Sequence, residues 1–93
     1  MQTIQTQNWT KITGLDSDKY YLLQALKKAN APKDNVLGYC STDVMWLQVG
    51  SEPASTDIGL VEDIIKISGS EDVYVKTDVL PLYVVVQEVI TGA

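Results

Sequence analysis

The chain has 93 residues, 45% of them hydrophobic, and a formal net charge of −5, which fits one folded domain and excludes a disordered tail. Its apolar runs are too short to cross a bilayer, and residues 1–4 lack the basic start and apolar core of a signal peptide. We therefore expect a soluble protein made in a cytosol, with no membrane partner. Seven scattered basic residues against twelve acidic ones also argue against nucleic acid as a partner.

The beginning of the chain is polar and extended. Residues 1–8 are interpreted as an extended N-terminal arm, although fraying of a free terminus is the simpler alternative. Residues 14–18 (GLDSD) form a predicted turn, because Gly, Asp and Ser favour local turn conformations and hydrogen bonds.

The next segment, residues 19–28, has two interpretations. As a helix it would have an N-cap at Asp16 or Ser17, and Lys27 and Lys28 would lie at the end where the helix dipole favours cations. As a strand it would place the aromatic residues of 20–24 (YYLLQ) on a pleated surface. Periodicity does not distinguish the two for so short an apolar run, so both stay open on the residues alone.

The rest of the chain predicts short strands separated by turns. Strands are predicted at residues 36–40, 44–49, 73–77 and 82–90, with a long polar loop at 50–57, while residues 59–68 suit either a helix or a strand. Strands interrupted by turn clusters every ten or so residues are typical of a sandwich or small barrel. We predict one mostly β domain over residues 1–93, a small antiparallel β-sandwich or barrel, with one short helix near residues 17–29 as the alternative.

Residues that carry catalysis or bind metal are scarce. The absence of histidine excludes Ser-His-Asp and Cys-His arrangements and zinc sites of the Cys/His type, and no P-loop or dinucleotide motif occurs. Cys40 is the only cysteine and is interpreted as a packing residue. The acidic pairs at 62–63 and 71–72 are interpreted as solvated turn residues, because adjacent strand residues point to opposite faces. We therefore expect no enzyme, no catalytic residue, no cofactor and no metal.

Two segments are apolar on both of their predicted faces, residues 44–49 and 82–86. A strand of this kind has to be covered on both sides, and a chain of this length has little material with which to do so. Partner subunits are the expected cover, since aromatic and Met residues are enriched at interfaces, although a core position is the alternative for each tryptophan. The interface candidates are Trp46, Met45, Leu47, Val85, Trp9 and Tyr83.

Several stretches together resemble a known group of proteins. They are residues 9–15 (WTKITGL), 19–24 (KYYLLQ), 73–76 (VYVK) and 84–88 (VVVQE), with Pro53 and residues 59–60 between them. This layout resembles small virion accessory proteins of tailed bacteriophages, which are compact β-sandwiches or barrels. The resemblance favours the strand interpretation of residues 20–28, and it carries over no catalytic residue.

The resemblance implies a structural virion protein that decorates or cements a bacteriophage capsid through protein–protein contacts. The expected partners are identical copies, with a trimer as one homo-oligomer, and the major capsid protein or a tail protein. A tail or fibre-attachment accessory protein of the same particle is one alternative. A small acidic regulator that binds a host protein is another, although the carboxylates lie mostly in turns beside lysines rather than along one face.

Overall fold

The computed structural model describes residues 1–28, 39–41, 45–62, 64–78 and 80–89, and of Cys40, Ser41, Met45, Trp46 and Glu62 it describes the backbone. These residues form nine strands and no helix. The strands are β1 (Gln2–Ile4), β2 (Thr10–Lys11), β3 (Tyr20–Lys28), β4 (Tyr39–Ser41), β5 (Met45–Val49), β6 (Leu60–Glu62), β7 (Ile64–Ser68), β8 (Val73–Thr77) and β9 (Leu82–Val89). The beginning of the predicted strand at 36–40 and the side chain of Cys40 lie outside the described part.

Two antiparallel sheets pack together. Sheet A has the order β1-β9-β3-β4, with β7 also paired to β3. Because β9 occupies one edge of β3, β7 and β4 share the other edge, β7 along residues 20–24 and β4 along residues 26–28. Sheet B has the order β2-β8-β5-β6. The predicted mostly β class is confirmed, and the architecture is that of a small β-sandwich.

Residues 20–28 form a strand, so a helix near residues 17–29 is wrong for the part of that segment that the structure describes. The reason is that β3 has hydrogen-bonded neighbours on both edges, with Leu23 opposite Val86 on one side and Ile65 on the other. Burial along β3 alternates with a period of two, since Tyr21, Leu23 and Ala25 are buried while their neighbours are not. Residues 60–62 and 64–68, for which both interpretations were open, are strands too.

The core lies between the two sheets and is filled from both. Each strand directs alternate side chains inward, and each large aliphatic group removed from water contributes about 1.5–3 kcal/mol. The buried hydrophobic residues are Ile4, Ile12, Tyr21, Leu23, Ala25, Leu47, Ile67, Val73, Val75, Leu82 and Val84. The Cα extents of 38 × 37 × 18 Å describe a thin slab, so much of the molecule's surface belongs to two broad outer faces.

The first residues of the expected N-terminal arm belong to the chain's own sheet A. Ile4 is buried opposite Leu82, and the side-chain amide of Gln2 donates to the Thr13 carbonyl at 2.8 Å and accepts from the Thr13 N–H at 3.3 Å. These contacts hold β1 at the edge of the sheet beside β9.

Candidate functional site

The outward side of sheet A carries apolar side chains at its centre. On β9, Leu82 and Val84 point into the core, so Tyr83 and Val85 point outward. Cross-strand pairing places Tyr83 opposite Leu26 and Val85 opposite Gln24, on the same side as Leu22. We call this outward side face A; its centre consists of the half-buried residues Leu22, Leu26, Tyr83 and Val85.

The border of face A adds exposed apolar groups and cations. Tyr20 is 43% exposed and Ile64 is 49% exposed, both at outward positions of their strands. The ammonium group of Lys66 lies 5.6 Å from the centroid of the Tyr20 ring. At the opposite end, the ammonium group of Lys28 lies above two further tyrosine rings of the same face, at distances that allow a cation–π attraction.

These two tyrosines, Tyr39 and Tyr83, form an edge-to-face pair with centroids 5.1 Å apart, and the Lys28 ammonium is 4.9 Å and 5.9 Å from the two centroids. Among the described strand positions of face A no residue is Asp or Glu. Face A therefore combines apolar side chains with the uncharged Gln24 and Gln87 and has a positive border, although the chain as a whole has a net charge of −5.

A second apolar surface lies at the edge of sheet B. Strand β6 pairs with β5, and no other described strand pairs with it. Four exposed apolar side chains lie on or beside this edge, and we call them ridge B: Val49, Ile58, Leu60 and Val61. Ile58 is 90% exposed and Leu60 is 61% exposed. A free strand edge with exposed apolar side chains is a typical place for another chain to bind.

The loop before β6 is held in a defined conformation that presents Ile58 to solvent. The Asp57 N–H donates to the Ala54 carbonyl at 2.9 Å, and the Asp57 carboxylate accepts from the Ala54 N–H at 2.8 Å. The Lys76 ammonium donates to the Ser55 carbonyl at 2.9 Å. These bonds explain why an isoleucine in a polar loop does not fold back onto the core.

Carboxylates border ridge B. An open cleft of about 470 Å³ beside Ile58 is lined by Ser55, Thr56, Asp57, Ile58, Lys76 and Asp78. A second cleft of about 330 Å³, on Leu47, Gln48, Val49, Ile58, Gly59 and Leu60, is mostly apolar. The first cleft holds two carboxylates and one ammonium group, and that ammonium is engaged by the Ser55 carbonyl. The border of ridge B therefore carries a net charge of −1, because the neutral Ser55 carbonyl leaves the charge of Lys76 in place.

The predicted interface residues lie in different places. Tyr83 and Val85 lie together on face A, whereas Leu47 is 1% exposed and belongs to the chain's own core. The backbone of Trp46 pairs with Val61 and Lys76, and the side chains of Met45 and Trp46 are outside the described part of the chain.

Trp9 is half-buried on sheet B, where it contacts the loop before β6. The Lys76 ammonium lies 5.4 Å from the centroid of its indole ring. The indole Nε1 of Trp9 and the Oε1 of Gln48 are buried without a hydrogen-bond partner. Trp9 therefore supports the loop of ridge B from within the same chain.

Sequence reasoning missed Ile58, Leu60, Lys28 and Lys66 as parts of surfaces that other proteins can contact. The signal for ridge B was the apolar group at residues 58–61 (IGLV) directly after a polar loop. The signal for the lysines was weaker, because a lysine beside a tyrosine on a strand is ordinary until the pairing of strands is known.

Five further charged residues of the described ranges form surface ion pairs. Lys11 pairs with Asp72 at 3.3 Å, and Lys19 pairs with Asp16 at 3.3 Å and Glu88 at 3.7 Å. The hydrogen bond that the Lys19 ammonium donates to the Asp16 carboxylate, with the added charge of Glu88, raises the pKa of Lys19 above its ordinary value. Within the described ranges, no group of three or more Asp, Glu or Cys side chains is arranged to hold a metal ion, and no helix is long and apolar enough to span a membrane.

Comparison with known proteins finds no family model that matches the chain, no matching curated protein and no matching solved structure. The resemblance to virion accessory proteins of tailed bacteriophages therefore stays a prediction from the motifs of the sequence.

Proposed function

We propose that this chain is a non-catalytic structural module that binds other protein chains through face A. The observation that carries the proposal is the position of Leu22, Leu26, Tyr83 and Val85, which share the outward side of β3 and β9 and surround Gln24. Alternate residues of the same two strands fill the core, whereas these four are only half-buried and keep part of their apolar surface in contact with solvent.

The composition of face A suits a protein partner. Tyrosine is enriched where protein interfaces are buried, because its ring supplies a large contact area with little loss of conformational entropy. The ammonium groups of Lys28 and Lys66 lie over tyrosine rings, at distances that allow a cation–π attraction, and place positive charge at the border of face A. An apolar centre with a charged border is the usual anatomy of a protein–protein contact.

The setting that we propose is the particle of a tailed bacteriophage, where the chain decorates or cements the capsid. The motif resemblance supports this setting, and the thin slab with broad outer faces is a suitable shape for a protein that lies on a shell. A tail or fibre-attachment role in the same particle would use the same face, and the experiment below separates the two.

The test uses purified heads and purified tails of the phage that encodes the chain, each sedimented after incubation with the protein. We expect the wild-type chain to sediment with heads, and Val85→Asp to stay in the supernatant. Thr13→Asp, which makes the same charge change at an exposed position away from face A, should sediment like the wild type.

Sedimentation with tails alone would move the role to the tail. Sedimentation with neither, or equal binding by Val85→Asp and the wild type, would contradict the proposal. Thermal unfolding of both variants checks that Val85→Asp is folded when it is tested.

A further inference from the structure

Face A and ridge B have complementary character on one molecule. Face A carries apolar side chains around Gln24, with the cations Lys28 and Lys66 at its border. Ridge B projects Ile58 beside a cleft that is lined by Asp57, Asp78 and Lys76 and has a net charge of −1. We propose that face A of one copy docks on ridge B of a second copy of this chain. The inference rests on the proposed function, since it names one partner of face A, and face A of a given copy binds either ridge B of a second copy or the phage particle, not both at once.

Charge favours the contact between face A and ridge B over a contact between two copies of face A or two copies of ridge B. Two copies of face A brought together would place Lys28 and Lys66 near their own counterparts, with no carboxylate at the described strand positions of the face to compensate. Two copies of ridge B would bring the carboxylates of one cleft near those of the other. Like charges opposed across an interface are costly, whereas face A against ridge B sets lysines near carboxylates.

The apolar parts match as well. Ile58 is 90% exposed between two clefts, so it presents a projecting apolar group with recesses on both sides. On face A, Tyr20 and Ile64 are exposed apolar groups, and the Lys66 ammonium lies above the Tyr20 ring. A tyrosine with a lysine ammonium over its ring suits this recess, because its two carboxylates outnumber the one ammonium of Lys76 and its other lining includes the apolar Ile58.

This pairing joins two different surfaces. Such contacts repeat from copy to copy and close into a ring when the rotation between copies permits, or form a two-fold pair when both surfaces of each copy are used at once. The number of copies in the wild-type assembly separates these two outcomes, and either of them agrees with the proposal.

The experiment mixes two variants that each lack one surface. Val85→Asp removes face A and leaves ridge B intact, and Ile58→Asp removes ridge B and leaves face A intact. Light scattering across a concentration series should give an assembly for the wild type and the 10.2 kDa monomer for each variant alone. An equimolar mixture should give a species of two chains, because one wild-type contact is restored.

A second pair of variants keeps the test decisive if Val85→Asp fails to fold. Lys66→Glu and Asp78→Lys each change one exposed border charge, and we expect each to weaken association by about fivefold to tenfold. The double variant in one chain should recover most of that loss, because the opposed charges are exchanged rather than removed.

Assembly by one variant alone would overturn the proposal in favour of a contact between two copies of the same surface. Monomers in the mixture, beside an assembling wild type, would overturn it too. A wild type that stays monomeric at every concentration would overturn it as well. The proposed function is judged separately, by binding to phage particles. An Ile58→Asp chain that sediments with heads, while Val85→Asp does not, would leave that function intact even when self-association fails.

Discussion

The ring of Trp9 lies so close to Gly59 that a Cβ added to Gly59 would come within 2.8 Å of its carbon Cη2. The same Cβ would also collide with the carbonyl oxygen of Leu47 on β5. Glycine at this position therefore lets the chain pass closely over sheet B before β6 begins, and that passage sets the position of Ile58 next to it.

Gly59→Ala is expected to destabilise the fold. The neighbours of the added methyl group are backbone and a half-buried indole ring, which move less readily than the end of a flexible side chain, so we expect a loss of about 1–3 kcal/mol in the free energy of unfolding. Urea unfolding followed by circular dichroism measures it. Ser51→Ala, in the same loop but exposed, is the control, and equal stability of the two variants would contradict the close approach.

Lys76 holds the loop of ridge B through two contacts. Its ammonium donates to the Ser55 carbonyl at 2.9 Å and lies 5.4 Å from the Trp9 ring centroid. Lys76→Met keeps most of the aliphatic stem and removes both the hydrogen bond and the cation–π contact. We therefore expect the free energy of unfolding, measured with denaturant, to fall by about 0.5–1.5 kcal/mol.

The second readout for Lys76 is self-association. Lys76→Met should weaken it, because Ile58 is no longer held outward, while Lys76→Arg should retain stability by keeping a cation and a donor. A Met variant as stable as the wild type would show that the loop is held by its other hydrogen bonds.

Leu22 and Leu23 are neighbours on β3 that face opposite ways. Leu23 is fully buried in the core, whereas Leu22 is half-buried on face A. We expect Leu23→Ala to cost about 2–5 kcal/mol in the free energy of unfolding, and Leu22→Ala to cost less than about 1.5 kcal/mol. Both substitutions are Leu→Ala on the same strand, so the difference between their unfolding free energies reports which side of the sheet each leucine occupies. Chemical denaturation measures it. Equal costs would show that face A is covered by the chain itself.

The contribution of Lys19 to the stability of the fold should decrease slightly at alkaline pH. Its hydrogen bond to Asp16 and the charge of Glu88 raise its pKa above the ordinary value of 10.5, so the folded state holds the proton more tightly than the unfolded state does. The stabilisation is fully present below that value and is lost as the pH rises through the folded-state pKa. The side chain is exposed, so the effect is small.

Unfolding midpoints of the wild type and Lys19→Gln, compared from about pH 9 to about pH 12, measure this contribution as a difference. The difference should be largest at the low end and shrink towards the high end. A difference that is constant across the range would contradict the assignment, because it would not follow the proton on Lys19.

Local patterns predicted much of the fold. The alternation of β-branched and polar residues at 73–77 and the long run at 82–90 both predicted strands, and the structure confirms β8 and β9. The sequence also predicted that residues 82–86 are apolar on both faces, and the structure places Leu82 and Val84 in the core and Tyr83 and Val85 outward. Alternation is a property of neighbouring residues in a strand, so a sequence carries it without knowledge of distant contacts.

For residues 20–28 the local sequence pattern did not decide between a helix and a strand. The apolar and aromatic residues suited a helix or a strand, and the choice was made by partners far away in the chain, β9 and β7, which satisfy the backbone hydrogen bonds on both edges of β3. Leu47 is a further case. Its strand was predicted, yet whether it faced the core or a partner depended on which side of sheet B met sheet A.

By itself the sequence determined that this is one small β domain, with two strands that are apolar on both faces and with no histidine for catalysis or metal binding. The tertiary structure decided which surfaces those residues make. Face A exists because β9 and β3 pair in one register, and ridge B exists because Trp9, Gly59 and Lys76 meet around one loop. Both depend on contacts between residues far apart in the chain, and such contacts are set by packing of the whole domain rather than by local propensity.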